Sequence, residues 1–356
     1  MKSIHRRFDG FANGVTTSVF LLSFWACICG ADESHSGGSV TWVAERHRRP
    51  PVRHRIEPMP LSDHQRSLAT PHVRSVNKLE PISHWALILN GVDLRSVKAC
   101  KAQVIVMDAT RDGSLATMFT RAEVEEMRGG SAKKLLAYMS IGEAEAFRGY
   151  LDPHEASWIG VENSEFPQDY FVEYWHQEWQ DILFGRPDSY IDRILAAGFD
   201  GVFLDKVDSW ELARENGRVG AEFDMMQLIS RLTNYALSKT DRFLVVPNNA
   251  EPLLSIGLEP FASALLAEDI LFRDQRDEVS QEVRSVEAQP PEVVQKRVAQ
   301  LKRARVSTLP VLAVEYLTTR PSDQLLIPKS AEFLRQAGFV PHFSDRDSIL
   351  LHCALD

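Results

Sequence analysis

From Pro81 onward the chain alternates short apolar runs with amphipathic stretches of helix length, and it does so eight times. The apolar runs read as strands at Trp85–Asn90, Val104–Ala109, Leu135–Ile141, Val202–Asp205, Leu244–Asn248, Leu265–Ile270, Leu309–Glu315 and Phe339–Phe343. Helical spacing falls between them at Asp93–Lys101, Arg121–Gly129, Asp188–Ala197, Glu222–Lys239, Pro291–Ala304 and Ser330–Ala337. The connection from Pro252 to Ser263 is too short to promise a regular helix. Strands that alternate with helices imply a parallel sheet. Eight such units over about 275 residues match a closed (β/α)8 TIM barrel, an α/β fold of about 250 residues. The alternative is a doubly wound open sheet, but no Gly-rich phosphate loop follows any strand, and Gly129-Gly130 reads as a helix stop.

The 80 residues before this region have another texture. Lys2, Arg6 and Arg7 precede an uncharged, mostly apolar run from Val15 to Gly30, and acidic residues resume at Asp32. That is the layout of an export signal over residues 1–30, too short for a comfortable membrane span. The expected destination is secreted or periplasmic, with an uncleaved anchor, or a lipoprotein anchor at Cys27 behind the bulky Trp25, as alternatives. Residues 31–80 are basic and broken by proline, without an apolar period, and read as a poorly ordered linker. Residues 81–356 then form one catalytic domain. The net charge of −9 divides into +4 for residues 1–80 and −13 for the rest. An acidic body argues against nucleic acid and suits a neutral or cationic ligand. A monomer is expected. Signal removal leaves Cys100 and Cys353, which either pair across neighbouring first and last strands or stay as two buried thiols.

The stretch Gly198-Phe-Asp-Gly-Val-Phe-Leu-Asp205-Lys-Val-Asp208-Ser-Trp210 concentrates the chemistry. A carboxylate at the last residue of a parallel barrel strand faces the mouth where ligands bind. Other strands end in the same manner, on Asn90, Asp108, Glu143 and Glu145, Asn248, Glu268, and Glu315 with Tyr316. The long segment from Glu143 to Pro187, after the third strand, is an aromatic-rich insertion that walls a cleft, with most of its rings packing the loop onto the barrel. No His has ligand spacing with another His or Cys, and no cofactor motif is present, so neither a metal nor a cofactor is expected. A pocket of carboxylates and aromatics suits glycoside hydrolysis: one carboxyl protonates the leaving oxygen while a second attacks the anomeric carbon or activates water. Asp205 and Glu268 are placed to face one sugar ring from opposite sides.

The blocks Tyr138-Met-Ser-Ile-Gly-Glu-Ala-Glu145, Trp158-Ile-Gly-Val-Glu-Asn163, Tyr174-Trp175 and Gly198 to Asp208 resemble the endo-α-1,4-polygalactosaminidase-like glycoside hydrolases. That group includes proteins mislabelled as cysteinyl-tRNA-synthetase-related, and the resemblance spans about residues 84 to 345. It implies a TIM barrel that cleaves α-1,4-linked galactosamine polymers, with a retaining two-carboxylate mechanism expected, using Asp205 as nucleophile and Glu268 as acid/base. Glu251 is the rival acid, read as a rim residue because Pro252 follows it. Asp108, Glu143, Asp208, Asn248 and Glu315 become substrate contacts, the carboxylates meeting a cationic amino sugar, while Tyr138, Trp210 and Tyr316 stack on its ring. Two departures stand out. Phe166-Pro167-Gln168 replaces a frequent Trp-Gly pair, and Lys206 adjoins Asp205, either lowering its pKa or pointing away. A catalytically silent carbohydrate-binding barrel and a hydrolase of neutral α-galactosides are the alternatives.

Overall fold

The computed structural model describes residues 75–79, 81–150, 156–276, 283–306, 308–317 and 320–345. The expected signal, nearly all of the linker, and Cys353 lie outside the described residues. Cys100 is buried and held in a disulfide.

The first third runs β1 (Trp85–Ile88), α1 (Leu94–Ala99), β2 (Val104–Met107), α2 (Arg121–Arg128) and β3 (Lys134–Ser140). Short strands β4 (Glu143–Glu145), β5 (Ile159–Glu162) and β6 (Asp169–Val172) follow, then α3 (Gln177–Leu183) and α4 (Tyr190–Ala197). Next come β7 (Gly201–Asp205), α5 (Ser209–Glu215), α6 (Ala221–Lys239), β8 (Leu244–Pro247) and β9 (Leu265–Glu268). The last third holds β10 (Phe272–Arg276), β11 (Val283–Ala288), α7 (Pro291–Val306), β12 (Val311–Tyr316), α8 (Pro321–Gln324), α9 (Ile327–Gln336) and β13 (Val340–Ser344).

Local chemistry sets the helix ends. Asp93 accepts from the Ser96 N–H at 2.8 Å and starts α1. Thr120 and Glu123 form a capping box on α2, which stops at Gly129 in the left-handed region. Gly198 ends α4 in the same way, at φ 88°.

Eight parallel strands make the barrel. β1, β2, β3, β7 and β8 form one ladder, β9, β12 and β13 a second, and a bridge from Asn248 to Leu266 joins them. Between β13 and β1 the seam is made by side chains: the Trp85 indole donates to the Val340 carbonyl at 2.8 Å, and the Leu87 N–H donates to His342 Nε2 at 3.3 Å. The interior is filled at every second strand position by Leu87, Val106, Leu136, Phe203, Val246, Leu266 and Val314. Two residues beyond Phe203, Val246 and Leu266 stand Asp205, Asn248 and Glu268. These polar residues continue the inward phase at the carboxyl ends of their strands, on top of the apolar core.

Between β3 and β7, β4, β6 and β5 form a three-stranded antiparallel sheet. The Pro252–Ser263 connection holds two 3-10 turns, Glu251–Ile256 and Glu259–Phe261. The hairpin of β10 and β11 is a further element that the apolar pattern does not announce.

Two glycines of the signature blocks are explained by room rather than by dihedral freedom. A Cβ on Gly201 would lie 2.0 Å from the Leu244 carbonyl oxygen on β8, and one on Gly142 would lie 2.2 Å from the Lys206 carbonyl. Gly201→Ala is expected to cost about 3 kcal/mol or more, because backbone must move to admit the methyl. A calorimetric melting point unchanged by this substitution would show that β7 and β8 separate at no cost.

Candidate active site

One hydrogen-bonded row crosses five neighbouring strands of the barrel mouth. Tyr138 on β3 donates its hydroxyl to Asp205 Oδ2 at 2.9 Å, and Asn248 Nδ2 donates to Asp205 Oδ1 at 3.0 Å. The same nitrogen donates to Glu268 Oε2 at 2.8 Å, while Tyr316 on β12 donates to Glu268 Oε1 at 2.6 Å. One amide therefore touches both acids. The two oxygens that it reaches are no more than about 6 Å apart, the scale of a two-carboxylate hydrolytic pair.

The residue after each of the three central members is left-handed: Lys206 at φ 58°, Asn249 at 48° and Asp269 at 52°. Such a conformation is costly outside glycine, least so for Asn and Asp. Asn249 and Asp269 still donate their backbone N–H groups to the next barrel strand, at Leu266 and Val314.

Electrostatics divide the pair. Burial raises the Glu268 carboxyl well above its usual range, the charge of Asp205 raises it further, and the bonds from Tyr316 and Asn248 only partly oppose this. Burial likewise raises the Tyr138 phenol, and the Asp205 charge adds to it, so its hydroxyl stays a donor. A protonated carboxyl beside a second one can deliver a proton to a leaving oxygen while its neighbour attacks.

A family model, Glycoside-hydrolase family GH114, matches residues 67–354, most of the chain. The chain belongs to that family. It is a glycosidase. Among curated relatives, an uncharacterized protein of Methanocaldococcus jannaschii is 32% identical over 278 residues, covering 74% of this chain and 75% of that protein. In fold the chain is similar to the glycoside hydrolase domain of PelA from Pseudomonas aeruginosa, with a TM-score of 0.60, 20% identity, and 75% of this chain and 96% of that one covered. It is similar also to Ega3 of Aspergillus fumigatus, solved in complex with galactosamine, with a TM-score of 0.56, 15% identity, and 77% and 96% covered.

In this GH114 barrel several residues expected to meet substrate are already occupied. Asp108 accepts from Thr110 and forms an ion pair with Arg148, Nη2 to Oδ2 2.8 Å. Burial alone would raise its carboxyl, but the Arg148 charge and these hydrogen bonds hold it below the usual range. Glu315 is fully buried and accepts the backbone N–H groups of Ile270, Leu271 and Phe272 at 3.1, 3.0 and 3.2 Å. It anchors the entry to the β10–β11 hairpin rather than a sugar, and burial followed by the nearby Asp269 charge pushes it up to about 8. Tyr138 and Tyr316, expected to stack, lie in the core cluster and use their hydroxyls on the acids.

Glu143 meets the Lys206 ammonium at 3.1 Å and accepts from Asn163. Lys206 thus turns toward Glu143, and it stands 4.5 Å from the ring centre of Phe166, the residue that replaces the frequent Trp. Burial raises the Glu143 carboxyl, with Lys206 only partly offsetting it. Asp208 sits at the start of α5, buried and without a capping bond, and Trp210 is buried beneath Arg214, whose guanidinium lies 4.7 Å from its ring. Glu251, the rival acid, is buried and paired with Arg297 at 3.1 Å. Arg297 also donates to the Glu268 carbonyl and to Asn249 Oδ1, so Glu251 braces the acid's strand from behind.

Two arginines were not foreseen. Arg297 shares the buried face of α7 with Val294 and Leu301, so a charged residue in an apolar phase was its signal. Arg148 lies in a 3-10 turn without periodicity, and nothing local marks it. It is fully buried between Asp108 and Glu145, 5.5 Å from the Tyr138 ring centre. Arg148→Met deprives two buried carboxylates of that cation and is expected to lower stability by about 3–5 kcal/mol. A urea midpoint that stays in place contradicts this account of Arg148.

Proposed function

We propose that the chain is an exported hydrolase of α-1,4-linked galactosamine-containing polysaccharide, acting within the polymer by a retaining mechanism. Asp205 attacks the anomeric carbon. Glu268 protonates the departing oxygen and then, deprotonated, activates water to release the glycosyl group from Asp205. The observation that carries this reading is the shared Asn248 amide: its contacts of 3.0 and 2.8 Å bring one oxygen of each acid within about 6 Å of the other, which supports a retaining pair over the wider inverting spacing of about 6.5–9.5 Å. The raised Glu268 carboxyl supports its part as the acid, and the likeness to a fold solved with galactosamine supports the substrate class.

One observation favours a neutral α-galactoside instead: Asp108, Glu143 and Glu315 already hold other partners and leave fewer charges for an ammonium. Release of reducing ends from partly deacetylated α-1,4-galactosaminogalactan separates the readings. The amino-sugar reading expects release that disappears after full N-acetylation. Undiminished release from the acetylated polymer moves the assignment to neutral substrates, and binding without release makes the barrel a binding module.

The acid also has a pH signature. Tyr316 donates to Glu268 and stabilises its charged form, so Tyr316→Phe raises the Glu268 pKa. Glu268 then stays protonated to higher pH, and the alkaline limb of kcat/KM is expected to shift upward. A limb that moves down or stays put removes Glu268 from the acid's part.

A further inference from the structure

The Asn248 side chain is 2% exposed, and its donors are spent on Asp205 and Glu268. The contact with Asp205 fixes how the amide is turned, since the reverse orientation would set its oxygen against the Asp205 carboxylate. Oδ1, on the same amide beside the bridging nitrogen, is bonded to neither acid and is buried with no hydrogen-bond partner among the described residues. A buried acceptor left unmet is costly, and folded proteins rarely keep one that nothing completes. Asn248 Nδ2 lies 3.0 Å from Asp205 and 2.8 Å from Glu268, so a sugar that reaches both acids lies beside this amide as well.

We propose that Asn248 Oδ1 accepts a hydrogen bond from the amine on C2 of the sugar held between Asp205 and Glu268, making Asn248 the residue that recognises an amino sugar. This rests on the amino-sugar glycosidase reading above. Two acids that address the anomeric carbon bring the neighbouring C2 substituent beside the amide that bridges them. Three of the carboxylates first expected to read the amine, Asp108, Glu143 and Glu315, are paired elsewhere with Arg148, Lys206 and backbone N–H groups, whereas Asn248 Oδ1 has its capacity open. A cationic donor suits this position because the Asp205 charge lies on the other side of the same amide.

The test compares kcat/KM for an aryl α-galactosaminide and its 2-deoxy counterpart, in wild type and Asn248→Ala. Alanine also loosens both acids and slows both substrates, and any inactive fraction of the protein does the same. The ratio between substrates is immune to either effect, and their intrinsic reactivities cancel when the two ratios are compared. Wild type is expected to favour the amine, and the preference is expected to shrink by about 10²-fold in Asn248→Ala. If alanine abolishes turnover, calorimetric binding of galactosamine against 2-deoxygalactose reads the same ratio, with the same collapse expected. A preference that survives alanine overturns the proposal and leaves the glycosidase reading standing. Wild type that cleaves neither aryl glycoside nor polymer overturns both.

Discussion

Asp205→Asn is expected to lower kcat/KM on the polymer by 10³-fold or more while the barrel stays folded, on the order of a lost catalytic nucleophile. The replacement is isosteric, and the new amide can turn its oxygen to the Asn248 donor while the Tyr138 hydroxyl rotates to accept. What disappears is the carboxylate proposed to bond to the anomeric carbon. Removing its charge also relieves Glu268, whose carboxyl it raises, so the Glu268 pKa is expected to fall in this variant. Reducing-end release and a melting curve check both halves. A loss below tenfold in folded protein takes the nucleophile's part away from Asp205.

Glu268→Gln has the second-largest expected effect, about 10²–10⁴-fold on the polymer, the range of a lost general acid. The loss depends on the leaving group. An aryl glycoside whose phenolate departs without a proton is expected to keep a fast first step in Glu268→Gln, followed by slow release, whereas the polymer does not. Asp205→Asn is slow on both, and this contrast separates the two acids. Glu251→Gln is the control. Its carboxyl is bound to Arg297 behind the strand, so its loss is expected to act on stability more than on the chemical step. Normal cleavage by Glu268→Gln with loss in Glu251→Gln would exchange the two assignments.

The barrel was legible because burial on both faces of a parallel strand leaves short apolar runs, and from Pro81 onward these recur between helix-length amphipathic stretches. All eight predicted strands lie in the barrel, Val202–Asp205 within β7 and Leu265–Ile270 over β9 among them. Asp205, Asn248 and Glu268 were legible for a related reason, as the polar residues that interrupt such runs at their carboxyl ends. Side-chain use was not legible. Tyr138 and Tyr316 show the same apolar ring whether they offer a face to a sugar or a hydroxyl to an acid, and only the register of β3 beside β7 and β9 beside β12 decides. Pairings across long separations were hidden as well. Arg148 and Asp108 are 40 residues apart, and Glu315 caps a backbone turn 44 residues before it. These distant partners convert expected sugar contacts into supports. The β10–β11 hairpin escaped because Phe272-Arg-Asp-Gln-Arg276 has neither an apolar run nor a clean alternation.

Asp205 and Glu268, bridged by one amide, are proposed to act as a retaining pair. The anomeric form of the first product, followed by proton NMR before mutarotation, distinguishes retention from inversion. The α-anomer is expected to appear first, with the β-anomer growing from it. A β-anomer that appears first would mean inversion, with water rather than Asp205 attacking the sugar.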